Sequence, residues 1–345
     1  MRVHESIVIG AGQAGFASSY HLARLGIDHL VLDANGAPGG AWQHRWDSLT
    51  MADVHGIADL PGAPAPRVAG RANVVLADWF AAYEREHDLP VVRPVAVDRV
   101  TDDGDLLVVH AGERSWTTRT LVNSTGTWTR PFVPHYPGVE TFRGEQLHTV
   151  DYPGPEYFRG RRVLVVGGGA SAIQLLGEIA PVAGTVWVTR QPPVWRSDDF
   201  DREAGRAAVA LVEERVRRGL PPASVVSVTG LALREQEREA ERLGAYAPRP
   251  IFDRIEPDGV RWSDGTFEPV DVILWATGFR PAVTHLGPLR LRSVHGGIQL
   301  DGTTAVADPR VQLVGYGPSA STIGANRAGR AAAVGVARQL RDEAA

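Results

Sequence analysis

Two stretches of the chain repeat one order of apolar and polar positions. SIVIGAGQAGFASSYHLARLGIDHLVLDA, from Ser6 to Ala34, runs from an unbroken apolar segment through glycines into a helical pattern and back into an apolar segment. Phe16, Tyr20 and Ala23, with Leu22 beside them, fall at helical spacing. RVLVVGGGASAIQLLGEIAPVAGTVWVTR, from Arg162 to Arg190, has the same order. Both read as strand, glycine turn, amphipathic helix, strand. Between them, VVRPVAVDRVTDDGDLLVVHAGERSWTTRTLVNSTG has β-rich runs broken by DDGD and AGER, the pattern of β-hairpins. It ends in an apolar strand running into Ser124-Thr125-Gly126, and DVILWATGF ends likewise at Ala276-Thr277-Gly278. DYPGPEYFRG is a Pro/Gly-rich linker before the second repeat. Residues 201–219 have a helical pattern. LALREQEREAERLGA reads as a charged helix with a solvated face, pairing Glu235 with Arg238 and Glu239 with Arg242. TIGANRAGRAAAVGVARQL reads as a helix of small residues suited to close packing or to a nearby ligand.

A strand–glycine–helix turn suits a dinucleotide. The pyrophosphate sits against the first turn of the helix, where unpaired N–H groups and the dipole favour an anion. The first glycine makes the tight turn, the second admits the phosphates and the third lets helix and strand pack closely. Gly10, Gly12 and Gly15 supply all three. Gly167, Gly169 and Ala172 supply them with a small residue last, and Ser171 lies inside the same turn. One such match is a weak sign. Two, each between an expected strand and helix, predict two bound dinucleotides. Gly10 to Asp33 spans 23 positions and so does Gly167 to Arg190, which places both residues at the end of the second strand of their unit. Asp33 accepts hydrogen bonds from ribose hydroxyls and suits FAD or NAD. Arg190 attracts a 2′-phosphate and suits NADPH, unless it is only a surface arginine at a strand end.

Composition narrows the partners. The chain has 345 residues, ample for a sizeable core, and a formal net charge of −4. Its basic residues are scattered, so neither nucleic acid nor a membrane surface is an expected partner. With no cysteine, disulfides, thiolate metal sites and a redox-active CxxC are excluded, and with them thioredoxin-reductase-type exchange. The 11 histidines show no HExxH or other ligand spacing, so no metal site is expected. GGASAI lacks the last glycine of a GxSxG nucleophile elbow. No apolar run reaches the roughly 18 residues of a membrane helix, and IVIGAGQAGF lacks the basic leader of a secretion signal. A cytoplasmic location is expected.

The sequence resembles the flavin-containing monooxygenases. The two glycine turns and the (S/A)TG segments occur in that family's order. FRGEQLHTVDY has the form FxGxxxHxxxY through Phe142, Gly144, His148 and Tyr152, just before the second glycine turn. GGAWQHRW is similar to the family's GGxW segment, and the resemblance brings Gly40 and Trp42 near the flavin. Tyr152 stands where the related Baeyer–Villiger monooxygenases usually carry Trp, which favours the flavin-containing branch, of short bacterial type. The resemblance implies an α/β protein with two Rossmann-like dinucleotide-binding domains, the NADPH domain inserted into the FAD domain. Residues 1–150 would form the first part of the FAD domain, 151–280 the NADPH domain and 281–345 the rest of the FAD domain. It further implies bound FAD, NADPH as electron donor, and oxygen transfer from a flavin hydroperoxide to a small nucleophilic (S or N) or ketone substrate. Substrate and O2 are then the partners, and a homodimer is left open.

Besides the glycines, Asp33 and Arg190, the expected cofactor-binding residues are Gly40, Trp42, Thr125, Gly126, Ser171, Thr277, Gly278, Thr322 and Gly324. Thr322 is the expected N-cap of a helix facing the flavin, with Gly324 allowing close approach. Trp46, Asp53 and His55 are the catalytic candidates, with Tyr316 as a further wall of the site. His148 is expected to link the domains or orient NADPH rather than act as an acid or base. One departure stands out: larger family members carry an Asn near the flavin where this chain, aligned on Leu49, has Ala52. It favours an alternative, an NADPH-dependent reductase passing electrons to a quinone, ferredoxin or O2 without oxygenation. A third reading is a nucleotide-sensing protein without turnover.

Overall fold

The apolar runs that flank each glycine turn become parallel strands covered on both faces. In a computed structural model, residues 2–54, 57–195, 202–222, 231, 233 and 237–343 are described, with only the backbone at 202–209 and 322–323. The described residues form two compact units. The first comprises Met1–Thr129, Arg206–Val225 and Pro281–Ala345; the second comprises Arg130–Gly205 and Val226–Arg280.

In the first unit β1 (Val3–Ile9) is flanked by β2 (His29–Leu32) and β6 (Arg114–Asn123), parallel to both, with Val8 opposite Val31 and Val122. Ile7, Val8, Val31, Leu121 and Val122 are inaccessible, as befits a sheet buried on both sides. The order continues outward to β3 (Val91–Val92) beyond β2 and to β17 (Val311–Leu313), β16 (Thr304–Ala305) and β15 (Leu300–Asp301) beyond β6. The expected hairpins are present: β4 (Arg99–Asp103) and β5 (Leu106–Ala111) are antiparallel, and β5 pairs with the first half of β6. β6 therefore has two roles, antiparallel to β5 at its start and parallel to β1 at its end.

Helix α1 (Gln13–Arg24) follows β1, and the long helix Thr322–Asp342 lies against it. A Cβ at Gly329 would lie 2.7 Å from Ala17 Cβ, so the two helices approach at a distance only a missing side chain permits. Helix α2 (Ala72–Glu86) adds Phe80 and Tyr83 to the same core, where both pack on Phe16.

The second unit is a five-stranded parallel sheet, β10 (Arg249–Pro250), β9 (Gly184–Thr189), β8 (Arg162–Val166), β14 (Val272–Trp275) and β7 (Glu145–His148). Helix α3 (Ala170–Ile179) follows β8. A three-stranded antiparallel sheet, β11 (Arg254–Glu256), β12 (Gly259–Arg261) and β13 (Phe267–Pro269), completes it. The α/β class and the doubled parallel architecture are as expected from the sequence.

Three details differ. β7 falls within 1–150, assigned above to the first domain, yet its partner is β14, so it belongs to the second sheet. Helix α4 (Arg202–Arg217) falls within 151–280, yet the described part of 206–225 belongs to the first unit, where Val216 is buried in the same cluster as Val283, Leu291 and Tyr316. The charged helix is described only over Arg238–Arg242, with Ala240 inaccessible. Within it Arg238 pairs with Glu241 at 3.4 Å. Glu235 lies outside the described residues.

Candidate functional site

The glycines of the first turn differ in what surrounds them. Gly10 has φ +100°, and a Cβ there would lie 2.8 Å from Ser124 O. At Gly15 a Cβ would lie 1.9 Å from Gly10 O. Both positions are closed by the chain itself. Gly12, the N-cap of α1, is open: a Cβ there meets nothing within 4 Å, and no side chain caps the helix. The first-turn N–H groups are thus left for an anion. Gly40 lies against this opening, since a Cβ there would sit 2.9 Å from Gly12 Cα. The cradle fits a dinucleotide pyrophosphate.

The second turn repeats the arrangement. Gly167 has φ +140°, and its Cβ would lie 2.1 Å from Ala276 O, whereas a Cβ at Gly169, the N-cap of α3, meets nothing within 4 Å. Ala172 is inaccessible and Ser171 half-buried in the first turn. The matching partners, Ser124 and Ala276, explain the two (S/A)TG segments: each begins with a small residue whose carbonyl closes on the first glycine. Ser124 Oγ also donates to Ile9 O and Gly10 O, both at 2.7 Å. Each threonine then ties its loop to a neighbouring segment, Thr125 Oγ1 donating to Ala282 O at 2.6 Å and Thr277 Oγ1 to Phe132 O. Gly126 and Gly278 follow with open space at the Cβ position.

At the end of β2 Asp33 is almost wholly buried, 3% exposed. Its Oδ2 accepts from Arg93 Nε at 2.9 Å and its Oδ1 from Asn35 Nδ2 at 3.2 Å. Arg93 Nη1 donates to Glu84 Oε1 on α2 at 2.7 Å. Arg93 Nη2 and Glu84 Oε2 are buried without a hydrogen-bond partner. Each such group costs about 1–3 kcal/mol when left unsatisfied. Sequence reading did not find Arg93. It lies 60 positions from Asp33, and its only local sign is its place at the end of an apolar run.

Arg190, at the end of β9, is exposed and forms no ion pair among the described residues, though its charge is felt at Tyr136. Beside it, buried Trp187 donates from Nε1 to Gly167 O at 2.7 Å and pins the glycine turn from the neighbouring strand.

The signature residues frame the second unit. Phe142 packs on the cluster around Phe252 and Trp275, and a Cβ at Gly144 would lie 2.4 Å from Asp271 O. Tyr152 donates to Glu178 on α3 at 3.0 Å and stacks on Phe158. At His148, Nδ1 accepts from Val150 N at 3.3 Å, which leaves the proton on Nε2, 3.0 Å from Gly278 O. Burial lowers its pKa, so the ring is neutral and serves as a clamp between β7 and the loop after β14.

Of the catalytic candidates, Trp46 is buried. Asp53 caps its own turn, accepting from Thr50 Oγ1 at 2.5 Å and Thr50 N at 3.2 Å. His55 lies outside the described residues, and Ala52 is exposed. Tyr316 is buried; its hydroxyl accepts from Ile298 N at 3.0 Å. Trp42 is half-buried and, with Trp128, brackets Arg45. That guanidinium lies 5.4 Å and 4.4 Å from the two ring centres, and burial pulls its pKa down to about 10. The long helix is capped by Ser321, not Thr322. Ser321 is extended (φ −126°, ψ 156°), and its hydroxyl accepts from Gly324 N at 3.1 Å. Glycine at 324 also serves packing, since a Cβ there would lie 2.6 Å from Pro318 O. Among the described residues no group of His, Asp and Glu is placed to hold a metal, and no helix is long and apolar enough to cross a membrane.

Two glycine cradles on parallel sheets, one with an acid and one with an arginine at the end of the second strand, define a two-dinucleotide oxidoreductase. The family model for pyridine nucleotide-disulphide oxidoreductases matches residues 7–220. A flavin-containing monooxygenase from Stenotrophomonas maltophilia has the same fold, with a TM-score of 0.85 and 36% identity over 98% of this chain and 99% of that one. The chain belongs to the flavin-containing monooxygenases within that oxidoreductase family. An uncharacterized oxidoreductase CzcO of Bacillus velezensis is 23% identical over 87% of this chain and 86% of its own length. A Baeyer-Villiger monooxygenase of Streptomyces coelicolor is 29% identical over 64% of this chain, which spans 44% of that protein.

Proposed function

We propose that this protein is an FAD- and NADPH-dependent monooxygenase that inserts one atom of O2 into a small nucleophilic (S or N) or ketone substrate, acting in the cytoplasm. The observation that carries it is the pairing of two open cradles, at Gly12 and at Gly169, with different residues at the end of the following strand, Asp33 and Arg190.

Gly10, Gly12, Gly15 and Gly40 hold the FAD pyrophosphate against the start of α1, and Asp33 accepts the ribose hydroxyls. Thr125 fixes the Ser124–Gly126 loop that closes the first turn. Gly167, Gly169, Ser171 and Ala172 do the same for NADPH, with Arg190 taking the 2′-phosphate and Thr277–Gly278 held by His148. The N-terminal end of the helix Thr322–Asp342, with its positive dipole end, favours negative charge beside it. When bound, FAD supplies the two-electron chemistry and the activation of O2. Trp46 supplies a water-excluding wall, and Asp53 orders the turn before His55.

A second reading, an NADPH-dependent reductase that passes electrons to a quinone, ferredoxin or O2, draws on the apolar, exposed Ala52. Aerobic NADPH oxidation with a panel of sulfides, amines and ketones separates the two. Oxygenated product in step with NADPH supports the monooxygenase. Full recovery of electrons as hydrogen peroxide, with no product across the panel, overturns it.

A further inference from the structure

Arg93 is nine-tenths buried, its side chain 10% exposed, and one terminal N–H group still has nothing to donate to. Asp33 and Glu84 engage Nε and Nη1, at 2.9 and 2.7 Å. A carboxylate offers about four acceptor sites. Arg93 and Asn35 use only part of Asp33's capacity, so acceptor capacity remains for a ribose hydroxyl.

The charge balance selects the ligand. One guanidinium between two carboxylates leaves the cluster net negative, which disfavours a phosphate. A neutral group that donates hydroxyls to Asp33 and offers a lone pair to the free N–H is favoured instead.

We propose that Arg93 is a specificity residue for the adenosine half of FAD. Its Nη2 donates to a neutral acceptor of that half, a ribose oxygen or an adenine ring nitrogen, while Nε holds the Asp33 carboxylate in place for the ribose hydroxyls. The assignment rests on the FAD reading above and extends it from the glycine turn to the far end of the cofactor, where the family pattern names only the acid.

FMN carries the flavin without the adenosine, and this isolates the effect. The purified chain, stripped of flavin, is titrated with FAD and with FMN by flavin fluorescence. Arg93→Lys keeps a charge between Asp33 and Glu84 and so preserves the fold, but lacks the planar second donor. Arg93→Gln removes the charge as well. Both are expected to raise the Kd for FAD by about tenfold or more, roughly 1.4 kcal/mol per decade, and to leave the Kd for FMN unchanged. Unchanged FAD affinity in Arg93→Lys overturns the assignment, and so does equal weakening of FAD and FMN in that variant. Should Arg93→Gln not fold, Arg93→Lys decides alone. A wild-type chain that binds neither flavin overturns the FAD reading itself, and this assignment with it.

Discussion

Replacing Arg190 by alanine tests the choice between the two nicotinamide cofactors. A charge-assisted hydrogen bond from a guanidinium to a phosphate contributes about 1.5–3 kcal/mol where water is excluded. Arg190 is exposed, and exposed ion pairs contribute only about 0.2–1 kcal/mol. Because it has no ion-pair partner among the described residues, it breaks no internal bridge when it binds a phosphate. The balance sits near 1 kcal/mol, roughly five-fold in affinity. Wild-type enzyme should therefore prefer NADPH over NADH by about that factor at low salt, and the preference should shrink as salt screens the charge. Arg190→Ala should raise the KM for NADPH about five-fold and leave that for NADH unchanged. The assay is steady-state oxidation of each cofactor under air at two ionic strengths. Equal weakening of both cofactors, or a wild type without preference, refutes the reasoning and leaves Arg190 a surface residue.

The two kinds of glycine in the first turn should part company. Gly15→Ala puts a Cβ 1.9 Å from Gly10 O and should cost about 3 kcal/mol of stability in flavin-free protein, read by urea unfolding. Gly12→Ala meets nothing within 4 Å and should fold within about 1 kcal/mol of wild type but bind FAD more weakly, since its methyl stands where the phosphates approach. His285 makes stability fall with acid. Its Nε2 donates to Asn123 Oδ1 at 2.7 Å, and burial lowers its pKa from 6.5 to about 4. The unfolded chain then takes up a proton that the folded one refuses, so its contribution is full above pH 6.5 and is lost toward pH 4, up to about 3 kcal/mol. His285→Gln, which keeps a donor and does not titrate, should flatten the pH dependence of unfolding between pH 7 and 4.5; an unchanged slope refutes this. Ala52→Asn should lower the peroxide released per NADPH and raise oxygenated product, as measured on any accepted substrate; an unchanged ratio shows that position 52 does not govern the partition.

What the sequence made legible was local. The glycine turns could be read because each glycine answers a demand within a few residues, a φ of +100° at Gly10 or a helix start at Gly12. The equal spacing to Asp33 and Arg190 could be read because strand, helix and strand have fixed lengths. The contacts that hold those parts in place were not legible. Arg93 meets Asp33 across 60 positions and His285 meets Asn123 across 162. Neither pair leaves a local pattern, because the sheet order that joins them is set by packing. The same holds for Arg45, placed between Trp42 and Trp128, and for β7, whose EQLH sequence, with Leu147 its one apolar residue, does not show which sheet it joins. The cap of the long helix was misplaced by one residue because Ser321 and Thr322 are both good caps; backbone geometry chose between them.

The first unit is closed by residues far apart in the order of synthesis. β17, at 311–313, lies along β6, and Gly329 sets the long helix against α1, which begins at Gln13. On a ribosome adding about 5–20 residues per second, the amino-terminal glycine turn therefore waits, its sheet edge unpaired and one face of α1 bare, until nearly the whole chain has emerged. The five strands of the parallel sheet in the second unit all lie between 145 and 275. The part begun later is finished first, and the nascent chain carries the completed sheet of the second unit while that of the first is still open to chaperones.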